Sequence, residues 1–293
     1  MPLIVDPLAP PVVPPTPAVS PDGWLTAVVD PVYAGVVLGV DYTAGTPLAG
    51  AADVRKIRIT RLDPGAAGGA PVRSADSAWA VGGVGVAYDH EAPLGVAVAF
   101  SVTPTFADGS TGPASSVSVT VPAPTAPADV WIKSIDTPDL AARVTVTAWP
   151  SLAWAARIDQ ADIAGSAFPV TSQDVYSAAA SDITIDADGP AIEVIRRLLT
   201  TPGVRLIQTV AGYHRPDMYV LLSDPAEGID TTPDGARTFT AGVVQVARPS
   251  TAGQPLRMPG WSFDVVAGQY ATFDAVAAAF STFAALATNG AVS

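Results

Sequence analysis

The chain contains no cysteine, which excludes disulfides, thiolate zinc sites and cysteine nucleophiles. It has only two histidines, His90 and His214, and charged residues make up just 14% of the sequence. Motifs that announce chemistry are missing as well. There is no G-x-S-x-G elbow, no P-loop and no H-E-x-x-H pair. No run of 18 or more apolar residues occurs, so no transmembrane helix is expected. The opening stretch MPLIVDPLAPPVVPP lacks a basic region and is broken by proline, so it does not read as a signal peptide. Synthesis and first folding are therefore expected in the cytoplasm.

What is present is proline, glycine and small apolar side chains. Hydrophobic residues reach 49%, too many for a disordered chain, and 293 residues suffice for about two domains. The net charge is −12. Residues 1–128 hold ten acids and five bases, and residues 129–293 hold seventeen and ten. Both parts are acidic, so tight binding to a phosphate backbone is disfavoured and no sequence-specific nucleic-acid partner is expected.

Proline punctuates the chain. Residues 1–20 read as a Pro-rich extended arm. In Val121–Trp131, VPAPTAPADVW, Pro122, Pro124 and Pro127 fix φ and remove backbone donors, so the run is expected neither to join a sheet nor to continue a helix, and residues 123–129 read as a semi-rigid hinge. Between them, residues 21–122 show short β-rich runs bounded by Gly, Pro and Asp: Trp24–Asp30, Val36–Tyr42, Val54–Leu62, Val84–Tyr88, Val96–Val102 and Val117–Val121. That spacing predicts a β-sandwich. Residues 130–260 predict an α+β domain. Its strands fall near Arg143–Thr147, Phe168–Tyr176, Asp182–Asp186, Val204–Val210, Met218–Leu222 and Thr238–Val246. Its one helix spans about 190–200, opened by Pro190, with an apolar stripe at Ile192, Ile195 and Leu199. Residues 261–293 form a C-terminal tail in which Tyr270-Ala-Thr-Phe-Asp-Ala-Val276 recurs as Phe280-Ser-Thr-Phe-Ala-Ala-Leu286. Thr272 and Thr282 are expected to cap short helices there. Ten residues turn about 1000° in a helix, which argues against one straight helix through both copies.

Candidate chemical clusters each have a plainer reading. Asp89-His90-Glu91 could ligate a metal, but a strand would point His90 away from the two acids, and a solvated turn before Pro93 is expected instead. Asp186-Ala-Asp188-Gly189 resembles a calcium loop. Aligned on that Gly, the loop would begin at Thr184 and end at Ile195, so both end ligands fail. Asp224, Glu227, Asp230 and Asp234 make Ser223–Gly235 an acidic, solvated loop with no aromatic to stack a sugar. His214 with Ser223 and Asp217 or Asp224 is a chance triple without a supporting motif. Trp149, Trp154 and Trp261 could stack on sugars, though buried or interface anchors are commoner fates. No catalytic, cofactor-binding or metal residue is assigned, and no cofactor.

Several phrases carry a resemblance. Over Pro21–Val121 the chain resembles a fibronectin type III domain, chiefly through Leu94-Gly95, the alternation of Phe100 and Val102, and the Asp108-Gly109-Ser110 hairpin. It departs where such sandwiches place a corner tyrosine, since Phe100 has no hydroxyl. AYDHEAPLGVAV (87–98), WPSLAWAAR (149–157), the DMYV strand and the C-terminal repeat resemble minor tail or distal tail proteins of actinobacterial siphophages or prophages, and the order of elements resembles a tail-tube domain, which implies that residues 130–260 form a β-barrel with one helix. The resemblance implies a mainly β structural virion protein without catalysis, located in the virion tail. It implies a homo-oligomeric ring, trimeric or hexameric, that pairs strand edges such as Arg143–Thr147 and Thr238–Val246. The implied partners are the tail tube, tape measure and tail tip, and the host cell surface, with no membrane insertion. A carbohydrate-binding or adhesive surface module is the alternative, and a carbohydrate-active enzyme a third reading.

Overall fold

A computed structural model describes residues 16–213, 215–229 and 235–292. The protein is mainly β, with several sheets, a closed barrel and short C-terminal helices. Of the expected arm, residues 1–15 lie outside the described residues. The strands of the first half are β1 (Ala18–Val19), β2 (Leu25–Asp30), β3 (Gly35–Asp41), β4 (Val54–Leu62), β5 (Ala70–Pro71), β6 (Ala78–Trp79), β7 (Val84–Asp89), β8 (Ala97–Phe106) and β9 (Ser115–Thr120). They form two antiparallel sheets, β1-β2-β3-β7 and β5-β4-β8-β9, with β6 also pairing β4. Leu25, Val36, Leu38, Ile57, Ile59, Phe100 and Val102 come from both sheets and bury together, which makes the sandwich.

Strand β4 shows how the pattern works. Ile57, Ile59 and Arg61 point inward while Arg58 and Leu62 are exposed, the period of two expected of a half-buried strand. A bulge between Val54 and Lys56 lets Val54 face the core as well. Burying an arginine in phase with two isoleucines is the anomaly that leads to the site described below.

Close approach fixes one glycine. A Cβ on Gly35 would lie 2.2 Å from the Tyr88 hydroxyl, which donates to Asp30 at 3.0 Å. Tyr88 is buried and has nowhere to move. Gly35→Ala is therefore expected to cost about 1–3 kcal/mol by overpacking. Gly68→Ala, where a Cβ meets nothing within 4 Å, should be near neutral. Chemical denaturation of the two variants measures the difference.

The second half contains β10 (Asp129–Ser134), β11 (Ala141–Ala148), β12 (Ile158–Ala161), β13 (Val170–Gln173), β14 (Ala180–Ala187), helix α1 (Ala191–Thr200), β15 (Arg205–Gln208), β16 (Met218–Ile229) and β17 (Arg237–Gln245). Six of these strands close into a barrel in the order β10-β11-β14-β17-β16-β15. Its interior is filled by Val130, Ile132, Val146, Ile183, Ile207, Phe239 and their neighbours, so it is a packed core and not a pore. Helix α1 buries Ile195, Leu198 and Leu199 in that core, with Ile192 partly covered, and touches β10, β11, β14 and β16.

Three sequence expectations are corrected here. First, β10 begins at Asp129, so the end of the Val121–Trp131 run does join a sheet. The prolines stop at residue 127, and nothing prevents pairing after them. Val121 and Trp131 both enter the sandwich core, with Ala123 packed against it. Second, Arg143–Thr147 and Thr238–Val246 are not free edges. Closure pairs β11 with β10 and β14, and β17 with β14 and β16. Third, Ser223–Gly235 is not a loop throughout, because β16 pairs β17 as far as Ile229. Glu227 there bonds Arg196 in α1 and lies 3.3 Å from Arg237. Asp230 and Asp234 lie outside the described residues.

The C-terminal segment returns to the sandwich. Leu256, Met258, Ala291 and Val292 cover Val28, Val37 and Tyr88 on the outer face of the β1-β2-β3-β7 sheet. Three short helices lie between, α2 (Phe263–Gln269), α3 (Phe273–Ala279) and α4 (Phe283–Ala287). The repeat thus has three copies, not two. Ser262, Thr272 and Thr282 each accept a hydrogen bond from the N–H three residues on. Tyr270 and Phe280 end the first two helices in extended conformation, which is why the ten-residue period does not run as one helix.

Candidate functional site

Two features stand apart from ordinary packing: a buried ionic junction between sandwich and barrel, and a set of exposed apolar elements. The junction is organised by Glu91, only 3% exposed. Its carboxylate accepts from Arg73 Nη2 at 2.8 Å, Arg248 Nη2 at 2.6 Å and the Tyr219 hydroxyl at 3.1 Å. One group therefore ties the sandwich, the barrel strand β16 and the C-terminal segment. Asp89 sits beside it, accepting from Arg61 Nη1 at 2.7 Å and from the Glu91 N–H at 2.8 Å. From the barrel, Lys133 is fully buried and donates to Ala34 O at 2.6 Å and His90 O at 3.0 Å. Gln208 donates to Ala92 O at 2.9 Å. Arg73 and Arg248 also donate to Ser250 O and Pro71 O, at 2.8 and 2.9 Å.

Burial shifts these groups. For Glu91 desolvation acts upward, but the hydrogen bond and charge of Arg248, joined by Arg73, hold it down at about 2. Burial pushes His90 down to about 4, against the pull of Glu91 and Asp89. Burial likewise lowers Lys133 to about 7, partly offset by Asp89 and Asp217. Burial raises Asp217, which accepts from Thr209 N and Gln208 Nε2. The cavity beside His90 and Arg73 is about 20 Å³, room for little more than one water. The Glu91 and Asp89 carboxylates are occupied by guanidinium, hydroxyl and backbone donors, so the arrangement holds two folded units together.

Asp89-His90-Glu91 was expected to be a solvated turn, and all three residues are buried. The expectation failed because the partners are remote in sequence: Arg61, Arg73, Lys133, Tyr219 and Arg248 carry no local motif. One signal was legible, namely Arg61 falling in phase with Ile57 and Ile59. Among the described residues, no group of three or more His, Asp or Glu is placed to hold a metal ion. In the calcium-like stretch, Thr184 and Asp186 pair within β14, and Ile195 is buried in α1. His214 of the possible triple lies outside the described residues, and Asp217 is committed to Thr209 and Gln208. Trp149 is buried, with Arg215 stacked 4.4 Å from its ring centre, while Trp154 is exposed and Trp261 is half-buried.

Two exposed apolar elements stand out among the described residues. The first is a hairpin built on β12 and β13, whose pairing extends back to Ala153 and Ala180 at the barrel wall. The nine residues from Ala153 to Ala161, at about 3.3 Å each, give an arm of about 30 Å. Every residue of β12 and β13 is exposed, and Ile158, Ile163, Phe168 and Tyr176 stand in solvent along the arm. The second is the helical repeat. Trp261, Tyr270 and Phe280 cluster edge-on at 5.8–5.9 Å, and Trp261 Nε1 donates to Leu286 O at 2.6 Å. The first residue of each helix faces outward: Phe263, Phe273 and Phe283 are 75%, 92% and 76% exposed.

No protein-family model matches this chain, and no curated protein matches it in sequence. The functional reading therefore rests on these surfaces and on the sequence resemblance.

Proposed function

We propose that the protein is a structural component of a phage tail, a minor or distal tail protein that assembles as a ring of identical subunits and performs no catalysis. The observation that carries this is the projecting hairpin. A two-stranded ribbon is at best marginally stable in water, and this one lines its length with large apolar side chains. Such an element is stabilised by a neighbour covering it. The three outward phenylalanines of the C-terminal repeat support the same reading.

The mechanism differs from edge pairing between barrels, because the barrel is closed. Each subunit lays its hairpin on the next, and rotational symmetry closes the ring at three or six copies. The packed barrel carries no lumen, so the tail channel is the space between subunits. Tail tube, tape measure and tail tip proteins are the proposed neighbours, with the host cell surface reached through the tail.

Imaging of intact tails with the protein labelled tests the reading. A ring of three or six copies at the tail tip is expected. A single copy per particle, or a location off the tail, overturns it. In light scattering coupled to gel filtration, Phe168→Ser with Tyr176→Ser should reduce any oligomer to monomers.

A further inference from the structure

A cleft of about 790 Å³ opens at the free edge of the β1-β2-β3-β7 sheet. Its walls include Trp79, Val84, Val86, Leu256, Phe283 and Ala287. The aromatic walls are open to solvent, with Trp79 72% exposed and Lys56 Nζ lying 5.2 Å from its ring centre. The charged groups at the rim are already engaged. Asp76 pairs with Arg58 and accepts from Thr251, and Arg73 is held by Glu91 and Ser250. Ser77 and Gln254 are the remaining polar side chains, set against walls that are mostly apolar, so a largely apolar occupant with few hydrogen-bond demands fits best. That disfavours a sugar, whose hydroxyls would go unpaired. It favours a proline-rich strand, because proline has no N–H and polyproline segments dock between aromatic walls.

The chain itself contains such a segment. Residues 1–15, MPLIVDPLAPPVVPP, hold six prolines, and their one charged side chain, Asp6, is opposite in sign to Lys56 at the cleft. We propose that residues 1–15 of a neighbouring copy fill the Trp79–Phe283 cleft. The proposal deepens the ring reading by naming a second contact between subunits.

Sheet geometry argues for donation between copies. Val19, Thr26, Gly39 and Val86 lie in one row across the sheet, so β1 and the cleft occupy opposite edges. Strand β1 runs toward the end of the sheet where the cleft opens, so residue 16 leaves at the other end. A direct return over the outer face is blocked by Leu256, Met258 and Val292. Fifteen residues at polyproline spacing reach about 46 Å, enough to span to an adjacent subunit.

The absence of cysteine permits a clean test on the full-length chain. Pro10→Cys and Ser77→Cys are made in separate chains, mixed, and joined with a short bismaleimide. Ser77 lines the cleft and is exposed. Docking raises local concentration, so linked dimers should exceed those formed with an Ala66→Cys chain, in an exposed loop, by about tenfold or more. Trp79→Ala or Phe283→Ser in the Ser77→Cys chain should return the yield to the control level. Melting curves check that these exposed substitutions leave the fold intact. Yields equal to the control overturn the docking. Linkage only within one chain, when both cysteines are placed together, overturns donation between copies. Neither result depends on whether the protein is found in a tail.

Discussion

Replacing Glu91 by glutamine will lower the stability of the whole molecule by about 3–5 kcal/mol, because it strands the buried Arg73 and the partly buried Arg248 without a counter-charge. Arg73 and Arg248 reach the same carboxylate from the sandwich and from the C-terminal segment, and Tyr219 reaches it from the barrel. The amide keeps the shape of the side chain and removes its charge, so packing is a minor part of the loss. For a chain of this size the melting temperature should fall by roughly 10 °C. The shape of the transition matters as much as its position. Bonds from Lys133 and Gln208 also cross between the two halves, so they are expected to unfold together in one step before and after the substitution. Glu227→Gln, at an exposed pair with Arg196, should cost no more than about 1 kcal/mol. A loss below 1 kcal/mol for Glu91→Gln, or two separate transitions in calorimetry, would contradict the junction described above. So would two stable fragments after proteolysis at residues 123–129, the outcome that the proline-rich spacer alone would suggest.

The second large effect is a steep loss of stability in acid. His90 is held neutral by burial, with its pKa pushed from 6.5 to about 4. The unfolded chain takes up that proton first, so stability present above pH 6.5 drains away as the pH falls toward 4. Glu91 acts next. Its pKa is lowered from 4.5 to about 2, so its contribution is complete above pH 4.5 and lost as the pH falls toward 2. Each shift corresponds to roughly 3 kcal/mol. Lys133 works on the other side of neutrality. Its lowered pKa of about 7, against 10.5 for a free lysine, means the folded state gives up its proton first, so its contribution rises between pH 7 and 10.5. Urea midpoints measured from pH 3 to pH 9 should climb across the range. His90→Gln should flatten the stretch between pH 6.5 and 4. A profile that is level from pH 7 to pH 4 in the unsubstituted protein would refute the assignment.

Local patterning made most of the fold legible. Alternation placed β4 at Val54–Leu62, and the Asp-Gly-Pro opening placed α1 within a residue. What escaped were consequences of distance. The barrel itself was expected from the tail-tube resemblance, but its closing pair was not: β10 meets β15, about 75 residues apart, and nothing in either strand announces the other, which is why Arg143–Thr147 and Thr238–Val246 read as free edges. The buried acids looked solvated because their partners lie as far away as Arg248. The third copy of the C-terminal repeat was missed for a different reason. Its first unit substitutes Ser262 for threonine and Gly268-Gln269 for alanines, which hides the period in letters while keeping it in hydrogen bonds.

Those C-terminal units have one more property. Each carries its own cap and its own stop, and the aromatic that ends one unit packs on the next. The hydrogen bonds that define a unit stay almost entirely within its ten residues. Trp261 nevertheless ties the first unit to the last through Leu286 O, and the residues before and after the repeat pack on the same sheet face, so the three units form a closed excursion from the sandwich. The span of the outward phenylalanines is fixed by that closure, and a change in the number of units requires the clasp to be remade.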